Sequence, residues 1–230
     1  MRGRARGGRL GVLMYIPSHF DESRPEVLRA LVNAHPLATL VTLTPDGLNA
    51  NHIPLRLHAD DGPHGILRGH VARANPIWKD FDPRVAALAI FQGPDSYITP
   101  GWYATKQETG KVVPTWNCAV VHVYGPLRVI DDPNWLRPHL EALTATHEAD
   151  QIEPWHVSDA PGDYTGKLMQ GIVGIELSIA RMTGKWKVSQ NQPASNQAGV
   201  VAGLRERETE GSARLTELVA ERRKTEDSTR

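Results

Sequence analysis

Residues 37–57, LATLVTLTPDGLNANHIPLRL, decide the fold class. Residues 37–43 are short, apolar and rich in β-branched side chains, which predicts a buried strand. Residues 44–47, TPDG, favour a turn because proline presets φ and glycine tolerates a positive φ. Extended character resumes over residues 48–57, so the whole stretch predicts an antiparallel hairpin.

The same alternation of strands and turns continues along the chain. Hairpins and regularly spaced turns favour an antiparallel barrel over a parallel βαβ sheet, so we predict a mainly β fold with peripheral helices (α+β). Further strands are predicted at 64–71, 85–91, 118–130 and 172–179, an aromatic loop at 95–114, and helices at 24–34, 78–81, 134–147 and 213–223.

Composition limits the class of protein. The 230 residues carry 26 Lys and Arg against 26 Asp and Glu, which argues against a protein that mainly coats nucleic acid. Cys118 is the only cysteine, so no intramolecular disulfide can form, and this fits a cytoplasmic location. No apolar run reaches the roughly 18 residues that a membrane span requires, so no membrane association is predicted.

The first 13 residues differ from the rest of the chain. Arginines at positions 2, 4, 6 and 9 alternate with Gly and Ala, which indicates either a basic arm or a non-native extension, and we favour the extension. We therefore divide the chain into a disordered or non-native extension (1–13), one split-barrel domain (14–204) and a helical or disordered C-terminal tail (205–230).

Several familiar site motifs are absent. No strand is followed by the glycine pattern of a dinucleotide site. Residues 162–167, GDYTGK, are one residue short of a P-loop, and Leu168 stands where Ser or Thr would bind the metal. The ten histidines fit no standard ligand spacing, so no metal site is predicted.

Four segments concentrate residues suited to ligand binding: 69–76, 93–103, 113–118 and 184–192. In the first, a strand ends in Gly, His, Arg and Asn before a predicted short helix. This arrangement suits a phosphate, although a solvated turn explains the local sequence equally well. In the other three, aromatic and amide side chains could stack on a ring, but loop packing explains them more simply.

Together with residues 14–20, MYIPSHF, and 50–55, ANHIPL, these segments resemble, in order, the motifs of the PaiB family of FMN-binding negative transcriptional regulators. The resemblance extends from Met14 to about Leu204. It implies a split β-barrel related to pyridoxamine phosphate oxidases and flavin reductases, a homodimer, and FMN at the subunit interface. The sequence departs from the family pattern at Gly101 (usually Ser), Cys118 (usually Tyr) and Gln192 (usually basic).

The resemblance also implies which residues bind FMN. The cluster in 69–76 would hold the phosphate, the strand through 51–54 would pass along the isoalloxazine, and the last two segments would complete the pocket from either subunit. The FMN-binding residues predicted in this way are Asn51, His52, Pro54, His70, Ala72, Arg73, Asn75, Thr115, Asn117, Lys185, Gln190 and Asn191.

Three functions remain open at this stage. A role as a transcriptional regulator, and with it any DNA contact, rests on the family label alone, because no helix-turn-helix is evident. An FMN-dependent oxidoreductase using NADH or NADPH is the alternative, although no residue stands out as catalytic. A haem-binding split barrel is a distant third, with His52, His70 or His122 as the axial ligand.

Overall fold

The computed structural model describes residues 14–227, with side chains as far as Glu221. The predicted extension at 1–13 and its arginines therefore lie outside the described residues. Ten strands are present in the described part: β1 (Asp21–Glu22), β2 (Leu37–Thr44), β3 (Gly47–Pro54), β4 (Arg56–His58), β5 (Ile66–Ala72), β6 (Ala87–Ile98), β7 (Thr115–Gly125), β8 (Leu127–Ile130), β9 (Ile172–Ser178) and β10 (Arg181–Lys187). The α-helices of the same part are α1 (Pro25–Ala34), α2 (Ile77–Asp80), α3 (Thr105–Thr109), α4 (Pro133–Glu148), α5 (Gly162–Gln170), α6 (Ala194–Glu206) and α7 (Glu210–Asp227).

The strands form two antiparallel sheets. The larger sheet has the order β1-β10-β7-β6-β2-β3 and the smaller one β4-β5-β9-β8. Every pair of neighbouring strands is antiparallel, which confirms the predicted mainly β, antiparallel fold with added helices.

The predicted hairpin is confirmed for residues 37–54, but its second strand is wrong beyond Pro54, because Arg56–His58 form β4 and pair with β5 in the smaller sheet. Strands β2 and β3 pair along their whole length, from Leu37 opposite Pro54 to Thr44 opposite Gly47. Gly47 has a φ of +116°, a backbone conformation that is strained for any residue with a side chain. The turn residues therefore fix the register, and the register decides which β3 side chains face away from the core.

The predicted strand at 118–130 is wrong in one respect, because it is two strands in different sheets. β7 ends at Gly125 and β8 begins after Pro126, which has no N–H to donate to a ladder. At Gly125 a Cβ would lie 1.8 Å from the carbonyl oxygen of Ser178. Only glycine permits this close crossing between the two sheets.

Several further elements differ from the prediction. The loop predicted from residue 95 begins later, since β6 continues to Ile98 beyond a register shift between Gln92 and Asp95. Strand β10 is not predicted, because its outward positions are polar and a glycine interrupts its inward side. The helices α5 and α6 are likewise missing from the prediction, and α3 lies within the stretch predicted as a loop.

The core lies between the two sheets. Leu40, Phe91 and Val121 of the larger sheet and Leu177 of the smaller one are almost completely buried, and α1 packs against this core. Helix α7 also contributes to the core through Leu215 and Val219. The division between the barrel domain and a C-terminal tail after residue 204 stays a prediction. No helix of the described part is both long enough and apolar enough to cross a bilayer.

Candidate functional site

Three asparagine side chains form a hydrogen-bonded amide chain between the edge strand β3 and the start of α2. Asn75 Nδ2 donates to Asn51 Oδ1 at 2.7 Å, and Asn51 Nδ2 donates to Asn49 Oδ1 at 2.5 Å. Asn75 Oδ1 accepts from the backbone N–H of Ile77 at 3.0 Å, which ties the amide chain to α2. The structure thus brings together two predicted residues and adds Asn49, whose position two residues before Asn51 puts it on the same face of β3.

The neighbouring predicted residues His52, Pro54 and Ala72 are exposed. The Nδ1 atom of His52 lies 3.1 Å from the Oγ1 atom of Thr39, its cross-strand partner on β2. His52 and Pro54 lie on the side of the strand that faces away from the core. They are therefore available to a ligand or to a second protein surface.

Arg73, predicted to bind phosphate, is already engaged by protein groups. Its two Nη atoms donate to the carboxylate of Asp131 at 2.8 and 2.6 Å, and Nε donates to the Gln170 carbonyl at 2.8 Å. One Nη also donates to the Ile172 carbonyl at 3.1 Å. Four of the five guanidinium N–H groups are thus used, and the ion pair lowers the pKa of Asp131.

His70, also predicted to bind phosphate, faces α4 instead. Its Nδ1 atom lies 3.2 Å from Nε2 of the buried His139, and the His139 ring stacks on Trp135 with centroids 4.9 Å apart. Burial lowers the pKa of His139 to about 4, with a further contribution from His70, and burial also lowers the pKa of His70. This neutral histidine pair fastens α4 to the smaller sheet.

The free energy of unfolding should therefore fall in acid. The pKa of His139 drops from 6.5 to about 4 on folding, so the unfolded chain binds more protons between these values and stability is lost as the pH falls through them. We expect a loss of about 3 kcal/mol from this residue by pH 4, measured by urea unfolding at a series of pH values.

Two variants on helix α4 control this pH measurement. His139→Leu should flatten the pH dependence, because it removes the titrating ring. His147→Leu should leave it intact, because His147 is exposed on the same helix. An unchanged slope in His139→Leu would show that acid acts elsewhere in the protein.

The second group of predicted residues lies where β7 begins and β10 ends. Asn117 is 1% exposed and donates from Nδ2 to Ser189 Oγ at 2.8 Å, whereas its Oδ1 atom is buried with no partner in the described part of the chain. Ser189 adopts a φ of 64°, which is uncommon for a residue with a side chain. Thr115 is hydrogen-bonded by Nζ of Lys187, which is not among the predicted residues.

The remaining members of this group are held less tightly or are exposed. Lys185 Nζ donates to the carbonyl of Tyr15 at 3.1 Å. The side chain of Gln190 folds back towards the end of β10, where it accepts from the backbone N–H of Val188 at 2.7 Å and donates to the carbonyl of Trp186. Asn191 is exposed.

One chain does not bring the two groups of predicted residues together. Asn51 pairs with Leu40, Leu40 with Ala89, and Ala89 with Val123, so the amide chain lies level with Val123 of β7. Thr115 lies eight residues before Val123 on β7, which corresponds to about 25 Å along the strand. The two groups therefore occupy separate parts of the same sheet.

The outward face of the six-stranded sheet, meaning the face turned away from the core, is largely apolar. Trp116 is 58% exposed and meets its cross-strand partner Tyr97 edge to face at 6.1 Å, while Leu48 is 81% exposed. An apolar surface of this kind is typical of an interaction site. The other aliphatic side chains of this face are Leu37, Val41, Leu43, Leu88, Ile90 and Val120.

Trp102, in the segment predicted to offer aromatic side chains to a ring, has a packing role. A Cβ on Gly203 of α6 would lie 2.1 Å from the indole, and one on Gly199 would lie 1.9 Å from the Trp102 carbonyl oxygen. The guanidinium of Arg207 lies 4.4 Å from the indole centroid. Trp102 therefore joins α6 to the loop after β6.

Comparison with known proteins gives the family context. A family model described as "Putative FMN-binding domain" matches residues 14–181. An uncharacterised protein of Emericella nidulans is 33% identical over 249 residues, which cover 93% of this chain and 99% of its own length. Protease synthase and sporulation protein PAI 2 of Bacillus subtilis is 28% identical over 211 residues, covering 92% and 99% respectively.

Solved structures share the fold. The FAD- and haem-binding protein of Mycobacterium smegmatis has a TM-score of 0.51 at 16% identity, with 80% of each chain covered. A conserved hypothetical protein of Mycobacterium tuberculosis has a TM-score of 0.52 at 14% identity, with 78% of this chain and 94% of its own covered. The split-barrel fold predicted from the sequence is thereby confirmed.

Proposed function

Since the chain belongs to the PaiB-type family of FMN-binding domains, we propose that it binds FMN, and that two copies of the chain build each site. The polar edge of the isoalloxazine needs both donors and acceptors, and a carboxamide offers both. The amide chain of Asn49, Asn51 and Asn75 supplies such groups at an open sheet edge. When bound, FMN supplies the redox chemistry, while the protein supplies binding and orientation.

The second group of residues also fits a flavin. The Oδ1 atom of Asn117 is buried without a donor among the described residues, and an unsatisfied buried acceptor costs about 1–3 kcal/mol. A ligand hydroxyl, such as one on the ribityl chain, is the kind of donor this atom lacks. We propose Asn117, with Ser189 and Thr115 beside it, as the second half of the site.

We infer a homodimer because the amide chain and the group around Asn117 are far apart within one chain. This separation is the observation that carries the proposal. Both belong to one sheet whose outward face is largely apolar. Asn51 and Asn117 alternate along their strands with the outward-facing His52 and Trp116, so their side chains point to the core side of the sheet. We propose that a two-fold axis packs the outward faces of two copies and sets the β3 edge of one copy beside the first residues of β7 of the other, because an isologous interface pairs different parts of the same surface. Covering the exposed apolar side chains would stabilise such a dimer.

Arg73 can be tested as a phosphate ligand by comparing two variants. Arg73→Ala should weaken FMN binding about tenfold or more, because it removes a cation, whereas Asp131→Asn should preserve or strengthen binding by freeing the guanidinium. The measurement is quenching of flavin fluorescence during titration of the apoprotein.

The comparison separates binding from architecture, because Arg73 also ties its loop to β9 through two carbonyl groups. If Asp131→Asn weakens FMN binding as much as Arg73→Ala does, the ion pair only supports the fold. The phosphate assignment of Arg73 would then be wrong.

We propose flavin binding rather than DNA binding as the primary function, because the balanced charge offers no excess of cations to a phosphate backbone. The regulatory role rests on the family label and on the name of the Bacillus subtilis relative. Salt-sensitive binding to one promoter fragment would support it. Steady consumption of NADH or NADPH by the FMN-loaded protein would instead support an oxidoreductase. The cytoplasmic location stays a prediction.

A further inference from the structure

Four side chains of β7 and β10 form a compact group on the outward face, away from the proposed flavin-binding residues. Tyr124 pairs with Arg181 and His122 pairs with Thr183, so the four occupy adjacent positions on two neighbouring strands. Cross-strand partners lie about 5 Å apart, and alternate residues of a strand share a face. We refer to His122, Tyr124, Arg181 and Thr183 as the Arg181 block.

The guanidinium of Arg181 has no acceptor in the part of the chain that the structure describes. It lies 4.8 Å from the ring centroid of Tyr124, and within the described residues it makes no hydrogen bond or ion pair. Its Nε atom is buried and unpaired among residues 14–221. A buried donor without an acceptor is costly, so such a group is expected to have a partner that this single chain does not supply.

The rest of the block also offers donors. Thr183 Oγ1 is buried with no partner among residues 14–221, and Tyr124 has its hydroxyl 3.2 Å from Nδ1 of His122. Burial raises the pKa of Tyr124, against a smaller opposing effect of Arg181, and burial lowers the pKa of His122. Near neutral pH the phenol is therefore protonated and the imidazole is uncharged.

Positive charge predominates along β10, although Asp21 of β1 is the cross-strand partner of Lys185. Lys185 and Lys187 follow Arg181 and Thr183 on the same side of β10, and neither lysine forms an ion pair with a described carboxylate. The strand thus presents three cations in a row on the outward face. A row of cations that includes the unpaired donors of Arg181 and Thr183 is suited to an anion with several acceptor oxygens.

We propose that the Arg181 block binds an oxyanion, a phosphate or carboxylate group. Arg181 supplies the charge and the paired N–H groups, and the hydroxyl of Thr183 supplies a further donor. The site is separate from Arg73 of the same chain, because Ala72 pairs with Ile172 at one end of β9 and Arg181 follows its other end. β9 alone spans about 20 Å.

Inorganic phosphate is the probe, measured by calorimetry on the protein both with and without FMN. Arg181→Gln should weaken phosphate binding about tenfold or more. Thr183→Val should weaken it less while leaving the resistance to urea unchanged or improved, because the hydroxyl it removes is buried without a partner. A purely structural role for Thr183 would not produce that combination.

Arg205→Gln is the matched control, since it removes one positive charge from an exposed position on α6.

The oxyanion could be the phosphate of FMN or a separate small molecule. Comparing the binding of FMN with that of riboflavin, which lacks the phosphate, distinguishes these two sources. Loss of the preference for FMN in Arg181→Gln would identify the flavin's own phosphate. If Arg181→Gln instead keeps the preference for FMN but no longer binds phosphate when FMN is loaded, the ligand of the Arg181 block is a separate small-molecule anion.

Two outcomes would overturn the proposal. If Arg181→Gln leaves both the affinity for phosphate and the preference for FMN over riboflavin unchanged, the Arg181 block binds no oxyanion. The same unchanged affinities together with a shift to monomer in gel filtration would show that Arg181 contacts a second subunit instead. Failure of the protein to bind FMN would not affect the phosphate titration of the unloaded protein, so the two proposals fail independently.

Discussion

Chains carrying Asn51→Ala and chains carrying Asn117→Ala should each lose FMN, and unfolding and refolding them together should restore binding at about a quarter of the sites. Each proposed site takes the amide chain from one copy and Asn117 from the other. A mixed dimer therefore has one intact site and one that carries both substitutions. Random pairing makes half of the dimers mixed, which gives the expected fraction.

The measurement is flavin absorbance per chain after excess FMN has been removed from the refolded mixture. Each variant refolded alone is the control, and gel filtration confirms that dimers have formed. Mixed dimers without recovered flavin would show that both groups act within one chain, or that one of them lies outside the site. The intersubunit arrangement would then be wrong.

Glu176→Ala should destabilise the protein by about 3–5 kcal/mol, because it breaks a buried ion-pair network. Glu176 is 3% exposed and accepts hydrogen bonds from Arg68 at 2.8 Å, Arg128 at 2.5 Å and the indole N–H of Trp135 at 3.1 Å. Burial by itself would raise the pKa of Glu176, but these donors together lower it. Removing the carboxylate leaves the indole N–H of Trp135 and the Nε of Arg68 without their acceptor, while Arg68 keeps its ion pair with Asp61 at 2.9 Å.

Urea unfolding near pH 7 measures this effect, and the chain offers a matched control. Glu141→Ala removes a carboxylate that forms an exposed pair with Arg137 at 3.6 Å one helical turn away, so it should cost less than about 1 kcal/mol. Equal losses in the two variants would mean that the network around Glu176 contributes no more than a surface pair.

The elements that the sequence predicts well are those whose pattern is local. The turn at 44–47 and the β-branched run before it specify the β2–β3 hairpin without help from the rest of the chain. Strand β10 is missed because its outward side chains are Arg, Thr and Lys, and its inward positions include Gly184. Its alternation becomes evident only when Trp186 is seen packed in the core.

The candidate site was predictable only in part, for the same reason. Asn51 and Asn75 are both among the predicted FMN-binding residues, but their hydrogen bond to each other is not predicted, whereas the i, i+2 spacing of Asn49 is a usable signal. The bonds that engage Arg73 and His70 come from Asp131 and His139, which are distant in the sequence. Nothing local indicates such partners, so their effect on the predicted phosphate cluster emerges only from the fold.

The flavin content of the purified dimer tests directly whether two copies of the chain bind FMN. Gel filtration with light scattering, absorbance near 450 nm and mass identification of the released cofactor give the chain count, the flavin and its identity. We predict a dimer that holds one FMN per chain. A monomer that binds FMN, or a dimer that takes up no flavin when FMN is supplied in excess, would contradict the account.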